Sequence, residues 1–189
     1  MIFTKDGGEN FPETRIESGR LYEGRILNLR KDKVMLSDDR IVSREVVEHK
    51  PAVVILAENE ASEVALVRQY RYPAGEMMIE LPAGIVEPGE DFACAAVREL
   101  REETGWKPKK MEKIAEFYTS PGFSDELIAL FYATGLSQDR LPMDEDEILV
   151  SGFASRADIE ELLANGAIRD CKTLFGLEWW LRAHGGRPC

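Results

Sequence analysis

Residues 84–106 read GIVEPGEDFACAAVRELREETGW, a bent loop rich in glycine and proline followed by a strongly acidic segment. Apolar residues spaced three and four apart predict that residues 90–104 form a helix with one buried face. Glu99, Glu102 and Glu103 fall on an adjoining arc of roughly 100° of that helix. Carboxylates this close repel one another and raise one another's pKa, so a nearby cation would stabilise them.

A divalent cation would offset this repulsion more than the neighbouring Arg98 and Arg101 can. Oxygen-only ligands suit hard ions such as Mg²⁺, and Glu87 and Glu90 add two more carboxylates near the start of the helix. A run of charge on a helix is also typical of a solvated surface. The residues alone therefore favour a metal site and leave the solvated face as the alternative.

The same stretch resembles the Nudix box: Gly, five residues, Glu, seven residues, then Arg-Glu-aliphatic-any-Glu-Glu-any-Gly-aliphatic. Trp106 departs from this pattern, which has Ile, Leu or Val at that position. A large apolar side chain can pack there, and we expect no loss of chemistry. The matching positions are Gly84, Glu90, Arg98, Glu99, Leu100, Glu102, Glu103 and Gly105.

The resemblance implies an α/β fold, the Nudix α/β/α sandwich with a mixed sheet, preceded by a short N-terminal β-strand segment. It implies attack of water on one phosphorus of a diphosphate, assisted by Mg²⁺ or, as the alternative, Mn²⁺. Arg98 would orient the carboxylates through Glu90. The implied metal ligands are the carbonyl of Ala83 and the carboxylates of Glu99, Glu102 and Glu103.

The rest of the chain alternates between strand patterns and two further helix patterns. Strands are predicted at 21–29, 33–36 and 51–57, the last an apolar run typical of a buried strand. A capping box at Ser155 and Asp158 opens the helix pattern ADIEELLA, and residues 170–184 form the last helix. We predict an N-terminal strand segment, 1–48, and a Nudix hydrolase domain, 49–189.

Short segments outside the box resemble the ADP-ribose pyrophosphatase branch of the family. This resemblance implies that the protein cleaves ADP-ribose to AMP and ribose 5-phosphate. It also implies a homodimer in which the N-terminal strands of one subunit reach the partner. A related sugar-nucleotide or dinucleotide pyrophosphatase is the alternative, and a non-catalytic nucleotide-sensing module is a third. The segments are YEGRILNL (22–29), EHKPAV (48–53), VRQYR (67–71), ELPAG (80–84), DEDE (144–147) and IRDCKTL (168–174), with Pro121 sixteen residues beyond Gly105.

Several residues in these segments are suited to bind the diphosphate or the adenine of the substrate. A guanidinium can hold a diphosphate through two parallel hydrogen bonds, which suits Arg71 or Arg68. The resemblance implies that Tyr22 and Arg25 hold the adenine. Strand packing for Tyr22, and a surface charge for Arg25 or Arg68, are the alternatives.

Two loops carry the residues that we expect to contact the terminal ribose and to act as the general base. Phe123 would line the pocket, and Glu126 with Asp125 would touch the ribose. The resemblance places the general base on the DEDE loop, with Glu145 as first choice and Glu147 as second. We expect this loop to close only on binding, because burying its charges is costly without metal and substrate.

Composition and charge argue against nucleic-acid binding, a membrane partner and a zinc site. The chain has 24 basic and 35 acidic residues, a net charge of −11, which would repel a nucleic acid. No apolar run approaches the roughly 20 residues of a membrane span, and the first residues lack a secretory signal, so we expect a cytoplasmic protein without a membrane partner. Three cysteines and two histidines without paired spacing make a zinc site unlikely to form.

Overall fold

The structure, a computed structural model, describes residues 11–143 and 148–185. The chain divides into two compact units. The first comprises the residues up to His49 together with Ser120–Glu126, and the second comprises Lys50–Thr119 and the residues from Leu127 onward. The division after His49 lies next to the boundary expected from the sequence, but the sequence did not indicate that 120–126 belongs with the N-terminal segment.

The first unit is a three-stranded antiparallel sheet in the order β1-β2-β3. Strand β1 runs Thr14–Glu23, β2 Leu27–Met35 and β3 Ile41–His49. The predicted single strand 21–29 is wrong, because the chain turns between β1 and β2, where the Gly24 N–H donates to the carbonyl of Leu27 at 3.1 Å. Segment 120–126 joins this unit through the Val47 N–H, which donates to the carbonyl of Phe123 at 2.8 Å.

The described residues of the second unit form three sheets and three helices. A mixed four-stranded sheet has the order β7-β4-β10-β9, in which β4 and β10 are parallel and the other pairs are antiparallel. An antiparallel sheet has the order β12-β5-β6, and β11 pairs with β8. The strands are β4 (Ala52–Ala57), β5 (Val64–Arg71), β6 (Glu76–Glu80), β7 (Ala83–Ile85), β8 (Trp106–Lys107), β9 (Lys110–Tyr118), β10 (Leu127–Thr134), β11 (Ser137–Gln138) and β12 (Leu149–Ala154); the helices are α1 (Phe92–Thr104), α2 (Arg156–Ala164) and α3 (Cys171–His184).

Strand β4 explains the layering of this unit, because all six of its residues are buried. Alternate side chains of a strand point to opposite faces of the sheet. Val54 and Leu56 belong to a core that includes Leu177 and Trp180 of α3, whereas Val53 and Ile55 belong to a second core that includes Leu100 of α1. Helices therefore cover the mixed sheet on both faces, and the predicted α/β/α sandwich is confirmed.

The predicted helices are present with small changes at their ends. The capping box of Ser155 and Asp158 opens α2, and Asp170 caps α3 by accepting from the Thr173 N–H at 3.0 Å. Trp180 is buried in the core. In the part of the chain that the structure describes, no helix is long and apolar enough to cross a membrane.

Candidate active site

Helix α1 carries the acidic cluster, and a capping residue at each end determines where the helix starts and stops. The Asp91 carboxylate accepts from the backbone N–H of Ala93 at 2.8 Å, which satisfies an otherwise unpaired donor at the helix start. Gly105 ends the helix in the left-handed region, with φ of 81°, where glycine meets no steric penalty. The next residue, Trp106, packs its ring edge-to-face on Phe153 with centroids 5.6 Å apart, so it occupies a packing position as expected.

Arg98 lies at the centre of the cluster and contacts three carboxylates. Its Nε and Nη2 donate to the two oxygens of Glu90, each at 2.9 Å. Its Nη1 donates to Glu99 Oε1 at 2.7 Å and to Glu102 Oε2 at 2.9 Å. Nη2 also donates to the carbonyl of Ile85 at 3.0 Å, so one guanidinium ties the helix to the preceding loop.

These contacts shift the ionisation of both partners in the expected directions. The hydrogen bond with Glu90 raises the pKa of Arg98, and the neighbouring charge of Glu99 adds to that shift. The hydrogen bond from Arg98 lowers the pKa of Glu90. Arg101, which was expected to offset part of the repulsion, pairs with Asp139 at 2.9 Å, whereas Arg98 contacts the carboxylates directly.

Strand β7, just before the helix, approaches the carboxylates so closely that a side chain at position 84 would displace Glu99. A Cβ on Gly84 would lie 2.0 Å from the carboxylate carbon of Glu99, well inside contact distance. One residue earlier, the Ala83 N–H donates to Glu103 Oε2 at 3.1 Å. Glu99 and Glu103 are 7% and 2% exposed, so these two carboxylates are buried against the loop and do not form a solvated face.

The donor set of this cluster fits a hard divalent cation. The cluster carries more negative charge than the single positive charge of Arg98 can neutralise, because it contains four carboxylates, those of Glu90, Glu99, Glu102 and Glu103. All the candidate ligands are oxygen atoms. As the side chains stand, no group of three or more Asp, Glu, His or Cys residues within 11–143 and 148–185 is arranged to hold a metal ion. Arg98 uses one oxygen of Glu99 and one of Glu102, so a bound ion would share these carboxylates with the guanidinium.

The structure pairs Arg71 with a buried carboxylate. Arg71 Nε and Nη2 donate to the two oxygens of Glu80 at 2.7 and 2.8 Å. That hydrogen bonding raises the pKa of Arg71, and the charge of Glu103 contributes to the shift, so Arg71 lies within electrostatic range of the acidic cluster. Arg68, the other candidate, is an exposed residue of β5 that lines an apolar groove of about 330 Å³ with residues of β12 and Leu162 of α2.

The other candidate substrate residues lie in the first unit. Tyr22 is an exposed residue of β1, and Arg25 lies in the turn that follows it. Phe123 is exposed on the 120–126 segment. Asp125 has a structural contact, since its carboxylate accepts from the His49 N–H at 2.8 Å, and Glu126 Oε1 lies 3.6 Å from His49 Nδ1. Glu145 and Glu147 lie outside the described residues.

Sequence reasoning missed the buried polar residues that brace the second unit. Glu80, 1% exposed, and Thr173, fully buried, belong to the ELPAG and IRDCKTL segments, which were used only for their resemblance. Glu58, 7% exposed, accepts from the Trp180 indole at 2.9 Å and carried no motif signal. A charged residue directly beside an apolar strand core is the pattern that could have indicated Glu58 and Glu80.

Comparison with known proteins adds a family match. Residues 48–174 match the family model described as NUDIX domain. The chain is 34% identical to the ADP-ribose pyrophosphatase of Bacillus subtilis over 90% of this chain and 94% of that one. It is 36% identical to the methanol dehydrogenase activator of Bacillus methanolicus over 91% and 94%, respectively. It is also 34% identical to the GDP-mannose pyrophosphatase of Cronobacter sakazakii over 80% and 93%.

A solved structure supports the fold. The crystal structure of an ADP compounds hydrolase superposes with a TM-score of 0.81 over 92% of this chain and 96% of that chain. The two sequences are 21% identical, so this likeness bears on the fold alone.

Proposed function

The chain belongs to the NUDIX domain family, and we propose that it hydrolyses ADP-ribose to AMP and ribose 5-phosphate with a divalent metal ion, Mg²⁺ or, second, Mn²⁺. The observation that carries the proposal is the Arg98-centred cluster, in which a single guanidinium holds Glu90, Glu99 and Glu102 together. The similarity to ADP-ribose pyrophosphatases over most of both chains supports the choice of substrate.

The residues proposed to hold the metal are the carbonyl of Ala83 and the carboxylates of Glu99, Glu102 and Glu103. Such an ion, when bound, neutralises phosphate oxygens and lowers the pKa of water. Arg98 keeps Glu99 and Glu102 at a fixed separation and keeps Glu90 ionised beside them. The Ala83 N–H holds Glu103 at the start of the loop.

The remaining roles are assigned to loop and strand residues. Glu145, or else Glu147, is proposed to accept the proton of the attacking water. Arg71, with Arg68 as second choice, is proposed to bind the diphosphate, and a guanidinium suits this task because it donates two parallel hydrogen bonds to phosphate oxygens. Tyr22 and Arg25 are proposed for the adenine, and Phe123 with Glu126 for the terminal ribose.

We propose a homodimer in the cytoplasm. Every residue of β1 is exposed, including Ile16, Leu21 and Tyr22, each more than half exposed. A ten-residue edge strand with apolar side chains is a surface that proteins usually cover. A second copy pairing with this sheet would cover it.

A substrate panel with product identification tests the proposed reaction. ADP-ribose, ADP-glucose, GDP-mannose and NADH would be incubated with the protein and Mg²⁺, and the products would be separated by chromatography. We expect the highest kcat/KM for ADP-ribose, with AMP and ribose 5-phosphate released in equal amounts. Equal rates on all four compounds would contradict the ADP-ribose assignment.

A GDP-mannose pyrophosphatase is the second candidate function, favoured by the similarity to such enzymes over most of their length. The panel distinguishes the two, because GDP-mannose cleavage releases GMP and mannose 1-phosphate. A purely nucleotide-sensing module would bind ADP-ribose in the presence of Mg²⁺ and release neither product.

A further inference from the structure

A second group of charged side chains lies outside the acidic helix, where β5, β6 and the start of α3 meet. Arg71 of β5 holds Glu80 of β6 through two hydrogen bonds, at 2.7 and 2.8 Å. Lys172 Nζ at the start of α3 contacts the same carboxylate, and it also contacts Asp170 Oδ2 at 2.9 Å. Two cations therefore share the buried Glu80, and the carboxylate of Asp170 balances the second positive charge.

Glu80 is ionised despite its burial. Removal from water raises the pKa of a carboxyl group, but the hydrogen bond from Arg71 and the charge of Lys172 outweigh that effect and lower the pKa of Glu80. Buried ion pairs of this kind add little net stability compared with apolar residues of similar size. A contribution to geometry is therefore the better explanation for a cluster this costly to bury.

The geometry of the pair fixes the plane of the Arg71 guanidinium. Glu80 takes Nε and Nη2, which are two adjacent donors on one edge of the group. A guanidinium carries five N–H donors, so three, the two on Nη1 and the second on Nη2, are left for other acceptors. Rotation about the last bonds of the side chain would break both hydrogen bonds, and Arg71 therefore presents its remaining donors in one direction.

The backbone next to Glu80 is held in the same way. The Leu81 N–H donates to Thr173 Oγ1 at 2.8 Å, and the Ile55 N–H donates to the carbonyl of Pro82 at 2.8 Å. The following Ala83 N–H donates to Glu103. Four consecutive residues, 80–83, thus have a side-chain or backbone contact that ties this segment to α3, β4 and α1.

We propose that Glu80, held by Lys172, is a positioning residue that fixes the Arg71 guanidinium for the diphosphate of the substrate. This inference rests on the proposed function, because it takes Arg71 as a ligand of the diphosphate. Glu80 itself acts through Arg71 and does not touch the reacting atoms.

A double-mutant cycle on Glu80 and Arg71 tests this role. We expect Arg71→Met to lower kcat/KM for ADP-ribose by about 100-fold and Glu80→Gln to lower it by about 10-fold, mainly through KM. If Glu80 acts through Arg71, adding Glu80→Gln to Arg71→Met changes kcat/KM by less than about 3-fold. A further loss of about 10-fold in the double variant would overturn the proposal.

Glu76→Gln is the matched control for Glu80→Gln. Glu76 lies on the same strand and also pairs with a residue near the start of α3, Arg169, at 2.7 Å, but this pair is exposed. We expect KM to stay within about 2-fold of wild type in Glu76→Gln.

Lys172→Met provides a milder variant that leaves the Arg71–Glu80 pair in place, and we expect it to raise KM about 3-fold.

A spectroscopic measurement separates this proposal from the proposed function. The Nε–H signal of Arg71 in a nitrogen–proton NMR spectrum reports the contact with Glu80 without any substrate. We expect it to be sharp in the wild type and in Glu76→Gln, and broadened in Glu80→Gln. An unchanged signal in folded Glu80→Gln would overturn the positioning role, whereas a wild-type protein with the sharp signal and no turnover of ADP-ribose would overturn the proposed function instead.

Discussion

At the scale of single residues, Arg98 is the side chain that organises the acidic cluster. Its donors reach Glu90, Glu99 and Glu102 at 2.7 to 2.9 Å, so carboxylates that would otherwise repel one another are held side by side. The spacing of the glutamates predicted their common helical arc. The pairing of Arg101 with Asp139 could not be predicted, because helical spacing does not show which distant residues lie close.

Gly84 is the residue whose size matters most to this cluster. We predict that Gly84→Ala lowers kcat by at least about 100-fold, because the new Cβ would lie 2.0 Å from the Glu99 carboxylate carbon and would displace it. Gly152→Ala is the control, since a Cβ at that position meets no atom within 4 Å. Steady-state kinetics on both variants decides the matter, and equal activities would show that Glu99 tolerates displacement.

At the scale of elements, the apolar and capping patterns were reliable. The buried run of β4, the helix α1 and the capping box of α2 are all encoded within a few neighbouring residues, and the structure confirms each of them. The division of 21–29 into two strands could not be predicted, because it depends on a turn at Gly24. The α3 partners of Glu80 and Glu58 also could not be predicted, since Lys172 and Trp180 lie about 90 and 120 residues further along the chain.

Helix α3 is joined to the sheet near its C-terminal end by the buried carboxylate of Glu58. Tyr132 and the Trp180 indole donate to Glu58 Oε2, and His184 Nε2 lies 3.3 Å away. Burial raises the pKa of Glu58, but the hydrogen bonds from Tyr132, Trp180 and Ser62 outweigh it, so its pKa in the folded protein lies below the usual 4.5. Its contribution to stability is therefore present above pH 4.5 and is lost as the pH falls through the lower folded value.

We predict that Glu58→Gln lowers the free energy of unfolding at pH 7 by about 1–2 kcal/mol, because hydrogen bonds to a charged acceptor become hydrogen bonds to a neutral one. The difference from wild type should shrink as the pH falls below 4.5. Urea unfolding at several pH values measures both effects, with the exposed Glu60→Gln as control. A difference that is constant with pH would mean that the charge of Glu58 has no part in stability.

At the scale of the whole molecule, the first unit leaves apolar side chains on its surface. We predict that the protein is a dimer in solution, with twice the chain mass of 21.3 kDa, and that the double change Ile16→Lys and Leu21→Lys yields the monomer. Lysine on an edge strand opposes pairing with a second strand. Light scattering after size-exclusion chromatography measures the mass.

The control for this prediction is Ile148→Lys, because Ile148 is an even more exposed apolar residue that belongs to the second unit. It should leave the dimer intact. A wild-type mass of 21.3 kDa at micromolar concentration would contradict the predicted dimer.

The whole-molecule charge of −11 also bears on the chemistry, because an acidic protein needs a cation to hold an anionic diphosphate. Composition indicated this requirement, and the Nudix box identified the carboxylates that we propose to meet it. The identity of the nucleotide could not be read in the same way, since it depends on side chains from segments far apart in the chain.

The most direct test of a metal-dependent hydrolase at this cluster is kcat for ADP-ribose in Glu103→Gln at saturating Mg²⁺. Glu103 is 2% exposed and is held by the Ala83 N–H, and glutamine keeps its shape while removing the charge. We predict a loss of at least about 1,000-fold in kcat, with the fold unchanged by circular dichroism. A kcat equal to that of the wild type would contradict the account.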